Sequence, residues 1–392
     1  MRTIEARINE VGRDLAEAFG RVLQAIPGGP HRPQKLAHQL GVNTVLTSRL
    51  LKAAQQRDPI VVAHVIPGPE PLRRLLRAAG KKKVDRALIR EALAAVDRFQ
   101  QLIDAEAGDR SAFDAIISGW LPDAREKVEL IAKQSVYRGA SHLLGTMCDV
   151  AHYTVIVHPS ARSEVRADQI FINNIRGLRR VRPGAIVNYD TIRADSPMLT
   201  ISGEPVDHLR GLLLEQFCSS PLPQLQVTRH GDVAQYTIDS QDVGARSAVD
   251  LVHATYLPEN KQVRLQANES PRKTVMAIGV DPPTRTFVFD ALLHEGIFPG
   301  QQPDLNIYRT AGALNPGPDG RREMDRLDVL ESIQNLGRGI AKFRSTDTPA
   351  YQDMILHVCE QRGWDADTLR GYRCRIEYPM YSSEVVFGFE LR

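Results

Sequence analysis

The hydrophobic period of this chain changes once, near Cys148, and that change limits the folds open to it. Ahead of it, apolar residues recur every three or four positions, as in Ile4, Ile8, Val11, Leu15, Phe19, Val22 and Ile26, the mark of a helix with one apolar face. Behind it come short runs of β-branched and aromatic residues bounded by proline and glycine, beginning with Tyr153-Thr154-Val155-Ile156-Val157 ahead of Pro159. These runs follow one another instead of alternating with helices, so the pattern predicts an α+β fold and not a doubly wound parallel sheet. At 392 residues the chain is too long for one small core. The expected division is an all-α domain over 1–110, connecting helices over 111–147, and a larger mixed α+β domain over 148–392.

Within the first part, Pro27-Gly28-Gly29-Pro30 stops the opening helix. That helix can either cover the back of the helical domain or pair with its own copy. Asp58-Pro59 reads as an N-cap followed by proline in the first turn, which favours a short helix over 60–66, although the same residues, rich in valine and isoleucine, also suit a short strand beside the motif. Further helices are predicted over 72–79, 83–105, 111–118 and 122–144, the last burying Val128, Leu130, Ile131, Val136 and Leu143. In the second part, strands are predicted over 185–189, 226–229, 233–238, 249–256, 274–278, 286–292, 303–308, 372–378 and 384–391, with helices over 324–335 and 349–362. Residues 229–232 suit a hairpin turn, and 281–284 and 315–320 suit loops.

Charge is unevenly spread. Residues 29–90 hold thirteen basic and three acidic side chains, a local charge of +10 in a chain whose net charge is +3. The remainder is therefore mildly acidic, and the pattern is that of a polyanion-binding head on a body with another task. No apolar run approaches the roughly 18 residues of a membrane span, and the N-terminus lacks the apolar segment of a secretory signal. Cys148, Cys218, Cys359 and Cys374 are scattered, so free buried thiols in a reducing cytoplasm are expected, without a zinc site or a disulfide framework.

The basic stretch contains Arg32-Pro33-Gln34-Lys35-Leu36-Ala37-His38-Gln39-Leu40-Gly41-Val42-Asn43, leading into Thr44-Val45-Leu46-Thr47-Ser48-Arg49-Leu50-Leu51-Lys52. Two short helices crossing through a tight turn need a small residue at their closest approach, a residue free to take positive φ in the turn, and an apolar seam. Ala37, Gly41, and Leu36, Leu40, Val42 and Leu50 meet those needs, and Asn43 can cap the second helix. The segment 31–54 resembles the helix-turn-helix of bacterial DNA-binding transcription regulators. Thr47 departs from it, standing where such motifs usually carry valine or isoleucine.

The resemblance implies that the helix over 44–54 enters the major groove of double-stranded DNA, with Asn43, Thr44, Val45, Ser48, Arg49 and Lys52 outward. Arg49 would then pair with a guanine edge and Thr44 and Val45 would meet thymine methyls, while Arg32, Gln34 and Lys35 lie near phosphate. Lys81, Lys82 and Lys83 would extend the phosphate footprint.

No catalytic signature is present: there is no G-x-S-x-G, P-loop, H-E-x-x-H or G-x-G-x-x-G. Asp290, His294 and Glu295 can line a polar pocket, although a sheet-end cluster is the simpler reading. His152 and His158 flank one strand without a third ligand, so neither a metal nor a cofactor is expected. The basic segment 176–183 can bind an anion, but pairing with the acids of this half is favoured. Together these features predict a cytoplasmic, nucleoid-associated, homodimeric transcription regulator whose C-terminal domain senses a small-molecule effector, dimerises, or both. The alternatives are an enzyme or nucleic-acid processing factor targeted by its head, or a structural DNA-organising protein.

Overall fold

A computed structural model describes residues 3–28, 31–193, 197–240, 242–266, 268–310 and 323–391. The loop expected over 315–320 lies outside them. The fold is α+β, and the chain divides into two compact units, Met1–Glu129 and Leu130–Arg392.

The first unit is helical: α1 (Ile4–Ala25), α2 (Pro33–Leu40), α3 (Thr44–Ala54), α4 (Pro59–Val65), α5 (Pro69–Gly80), α6 (Arg86–Glu106) and α7 (Arg110–Ser118). A further helix, α8 (Pro122–Leu144), begins in it and ends in the second unit. Helix α1 lies at the centre, burying Ile8, Leu15, Phe19 and Val22 against α4 and α6. Its apolar face is thereby used within its own unit. The approach to α4 is so close that a Cβ on Gly12 would stand 2.0 Å from the Pro59 carbonyl oxygen.

Prolines open α4 and α5 because the first amides of a helix have no partner within it. For α5 this moves the start back from the expected residue 72 to Pro69. Helix α6 starts later than expected. Lys81–Lys83 form the preceding turn, Lys83 takes φ 63°, and the Asp85 carboxylate caps the helix by accepting from the Ala87 amide at 2.8 Å.

The second unit contains β1 (Thr146–Pro159), β2 (Arg166–Arg180), β3 (Asn188–Arg193), β4 (Met198–Leu199), β5 (Pro205–Val206), β6 (Leu225–His230), β7 (Val233–Ile238), β8 (Val249–Gln262), β9 (Lys273–Gly279), β10 (Thr284–His294), β11 (Asp304–Arg309), β12 (Ile333–Arg338), α9 (Tyr351–Arg362), β13 (Leu369–Glu377) and β14 (Ser383–Glu390). Its main sheet has the order β12-β13-β10-β1-β2-β8, in which β1 and β10 are parallel and every other pair antiparallel. Ile156, Ile170, Val252 and Leu292 on one face pack with Met354, Ile355 and Val358 of α9. On the other face Tyr153, Phe287 and Phe289 share a core with residues of two three-stranded sheets, β3-β7-β6 and β11-β14-β9. Gly231 at φ 60° lets β6 turn directly into β7, the expected hairpin.

Four expectations need correction. Residues 324–335 form no helix: a short 3-10 turn at Glu323–Asp325 is followed by extended chain and β12. There Leu327, Val329 and Ile333, all at odd positions, reach the core, and the Leu327 amide donates to the Ile307 carbonyl. Helical propensity gave way to a period-2 burial pattern. The strand expected over 185–189 instead begins at Asn188. The central strand β2 was missed because Asp168, Gln169, Asn173, Asn174 and Arg180 are buried polar residues that break any apolar alternation. On α8, Ile131, Val136 and Leu143 are exposed, while Tyr137 and Ser141 are buried.

Candidate nucleic-acid interface

Helices α2 and α3 meet through a turn whose parts are all accounted for. Gly41 takes φ 64° and ψ 39°; its amide donates to the His38 carbonyl, and the Val42 amide donates to the Ala37 carbonyl at 3.0 Å. This pair of bonds satisfies carbonyls that α2 leaves open, and the left-handed backbone is one that glycine takes without penalty. Ala37 is buried with Leu36, Leu40, Leu46 and Leu50. The Asn43 Oδ1 accepts from the Val45 amide at 2.7 Å, starting α3.

Thr47 is fully buried. Its hydroxyl lies 2.8 Å from the Pro33 carbonyl and 3.0 Å from the Thr44 carbonyl. The threonine therefore fills the seam with its methyl and ties α3 to the first residue of α2 with its hydroxyl, a bond that valine could not make.

Opposite that seam, α3 is bare. Asn43, Thr44, Val45, Ser48, Arg49 and Lys52 are exposed, and Val45 keeps 66% of its surface open to solvent. Arg32, Gln34 and Lys35 at the start of α2 are exposed as well, as are Lys81, Lys82 and Lys83. Among the described residues no acid pairs with Arg32, Lys35, Lys52 or the three lysines, whereas Arg73 pairs with Asp97 and Arg77 with Glu70, both at 2.9 Å. The positive potential of residues 29–90 therefore rests on fewer groups than their formal +10 implies.

Arg49 is partly committed elsewhere. Its Nε donates to the Val65 carbonyl at 3.0 Å and its Nη2 to the Ile66 carbonyl at 3.3 Å, at the C-terminal end of α4. Arg110 completes that end, its Nη2 donating to the carbonyls of Ala63 (2.9 Å) and His64 (2.7 Å). Burial lowers the Arg110 pKa from its usual value despite the pairing with Asp114, and the Arg49 charge adds to the lowering. Burial alone would raise the Asp114 carboxyl, but His64 and Arg110 hold it below its ordinary range. Nothing in the motif announces Arg110, whose part depends on where α7 returns.

In the second unit, Asp290 does not share a pocket with His294 and Glu295. It is buried on β10, where Arg373 of β13 binds it with both Nε (2.8 Å) and Nη2 (2.6 Å) and His152 Nε2 lies 3.2 Å away. His152 Nδ1 is 3.0 Å from the Thr348 hydroxyl, and its ring stacks on Tyr351 at 4.2 Å. Burial pushes Asp290 up, but His152 and Arg373 outweigh it and lower its pKa to about 2. Thr348, His152 and Asp290 form a chain in the order hydroxyl, imidazole, carboxylate. All three are sealed from solvent and the carboxylate is already clamped by a guanidinium, so the chain binds β1, β10 and β13 together instead of facing a substrate.

Glu295 pairs with Arg338 at 2.5 Å, and His294 packs against His158, which stacks on Trp364 at 4.5 Å. The segment 176–183 is internally engaged, and the expected pairing with acids holds for two of its arginines. Arg176 meets Asp250, Arg179 grips Asp149 with two nitrogens, Arg180 donates to the Ala185 and Ser240 carbonyls, and Arg182 donates to the Leu143 carbonyl. Cys148, Cys359 and Cys374 are buried, and burial pushes each thiol up to about 12, far from a reactive thiolate. Among the described residues no group of three or more His, Cys, Asp or Glu is placed to hold a metal, and no helix is long and apolar enough to cross a membrane.

Among the described residues, two clefts stand out as large enough for a small molecule. One of about 540 Å³ lies beside the carboxyl ends of the parallel pair β1 and β10, lined by Ser160, Glu164, Arg264, Ile297 and Phe298. The other, of about 590 Å³, is bordered by Met198, Val206, Arg229 and Tyr236.

No protein-family model matches this chain, and no curated protein matches it.

Proposed function

We propose that this protein is a sequence-specific DNA-binding transcription regulator of the cytoplasm, acting as a homodimer on two half-sites. The observation that carries the reading is the outer face of α3: exposed from Asn43 to Lys52, positively charged, and held to α2 by Gly41, Asn43 and Thr47 in a helix-turn-helix arrangement. Since Arg49 gives two donors to α4, base reading falls chiefly to Thr44, Val45 and Ser48, with Lys52, Arg32, Gln34 and Lys35 on the backbone. The second unit offers clefts of effector size, and the proposed regulator would sense a small molecule there.

The test is genome-wide footprinting of the tagged protein followed by shift titrations on the recovered sites. A few sharp two-fold sites, with Ser48→Ala lowering affinity for them roughly tenfold while leaving non-specific binding alone, are the expected result. Broad coverage without preference would instead indicate a DNA-organising protein, and absence of occupancy would remove DNA from the account.

A further inference from the structure

We infer that the exposed face of α8 pairs with α8 of a second copy of this chain, antiparallel, about an axis between residues 137 and 138. Two faces of this helix differ in what they meet. Tyr137 packs on Tyr378 with ring centroids 5.3 Å apart, Ser141 is buried, and Lys133 is ion-paired with Glu331. About a third of a turn away, Ala132, Val136, Gly139 and Leu143 follow one another at helical spacing, all exposed and none charged. Leu143 keeps 77% of its surface in solvent, and Ile131 and Leu144 are exposed on either side.

Gly139 is the telling residue. Glycine within a helix is less favourable than alanine. Among the described residues, nothing beyond its own stretch of helix lies within 4 Å of the place its Cβ would occupy. The room left by the missing side chain is open to a neighbouring surface.

A second α8 running the opposite way fits that room. Turned about the proposed axis, Leu143 faces the partner's Ala132 and Val136 faces the partner's Gly139. Large side chains meet small ones at both central layers, the alternation that lets helix surfaces interlock. The face carries no charge, so it selects no oppositely charged partner. It also continues beyond the helix: Ile186, 71% exposed, belongs to a loop bound to the end of α8 through Arg182 and the Leu143 carbonyl at 3.2 Å. The apolar area is on the order of 1,000 Å² for the pair, the lower end of specific interfaces, so a dimer of micromolar affinity is expected.

The surface is independent of the DNA reading, which asks for a dimer but assigns it no place. Sedimentation of the full chain without DNA, over roughly 1–100 μM to bracket that affinity, tests it. The wild type should pass from monomer to dimer, while Leu143→Asp and Gly139→Val should remain monomeric with unchanged far-UV circular dichroism. The double variant Val136→Ala/Gly139→Val, which exchanges knob and gap, should dimerise again. A wild type that stays monomeric throughout, a dimer indifferent to Leu143→Asp, or a double variant that stays monomeric would overturn the inference. A monomer that still shifts a specific operator would remove this interface and leave the DNA reading standing.

Discussion

Arg49 on α3 and Arg110 on α7 close the same helix end: between them their guanidinium groups accept the burden of four consecutive carbonyls of α4 and its cap, those of Ala63, His64, Val65 and Ile66. Cations at a helix C-terminus are favoured both by the unpaired carbonyls and by the helix dipole. Arg49→Ala should therefore lower the stability of the helical unit by about 1 kcal/mol. Arg110→Ala should cost about 3 kcal/mol, since it also strips the half-buried Asp114 of a partner. Urea denaturation of both variants measures the difference. Equal midpoints for Arg49→Ala and wild type would mean that its guanidinium is free for DNA.

Gly12 is where α1 and α4 touch. A methyl group there would press into the Pro59 carbonyl, so Gly12→Ala should destabilise by about 1–3 kcal/mol despite the better helix propensity of alanine. A thermal melt reads this directly, and a stabilised variant would show that the two helices can part without cost.

The salt dependence of binding separates the lysine turn from the groove-reading helix. Each phosphate contact contributes about 0.9 to the slope of log K against log salt. Replacing Lys81, Lys82 and Lys83 by alanine should flatten the slope by about 2.7 if all three touch phosphate, and should weaken specific and non-specific duplexes alike. An unchanged slope would place the turn away from the DNA.

Acid should weaken the second unit in two stages. His253 is buried, 2.9 Å from the Tyr189 hydroxyl and 3.3 Å from Asp190. Burial lowers its pKa, with Asp190 opposing only in part. The unfolded chain takes up this proton first, so stability falls as pH drops below about 6.5 towards the folded value. Asp290, lowered to about 2, adds a second loss below about 4, because the unfolded carboxylate is protonated before the folded one. Denaturation midpoints at successive pH values should decline through both windows, and His253→Gln should flatten the upper one.

Breaking the buried pair tests the sealed network. Arg373→Met leaves the Asp290 carboxylate in the interior without its guanidinium partner, and should cost about 3–5 kcal/mol. A variant with wild-type stability would mean that water reaches Asp290.

What could be read in advance depended on whether a residue's role is local. Gly41 in a left-handed turn, Asn43 and Asp58 as caps, Pro59 in a first turn and the Gly231 hairpin all follow from a few neighbouring residues, and all were legible. Strand β2 was not, since Asn173, Asn174 and Arg180 are buried polar groups that meet Asp190, Met354 and the Ser240 carbonyl, all outside the strand. The stretch 324–335 misled for the same reason: β11, on the other side of a long connection, fixes its extended form.

The order of the chain by itself determined the α+β class, the change of period near Cys148, the two-helix motif with its turn, and the excess of positive charge around it, because each rests on spacing or on counts along the chain. Tertiary structure alone decided that Arg49 caps α4, that His152, Asp290 and Arg373 converge in a closed interior, and that one face of α8 is left exposed among the described residues. Those outcomes turn on which distant segments are brought within hydrogen-bonding or packing distance, and no local pattern of residues encodes that.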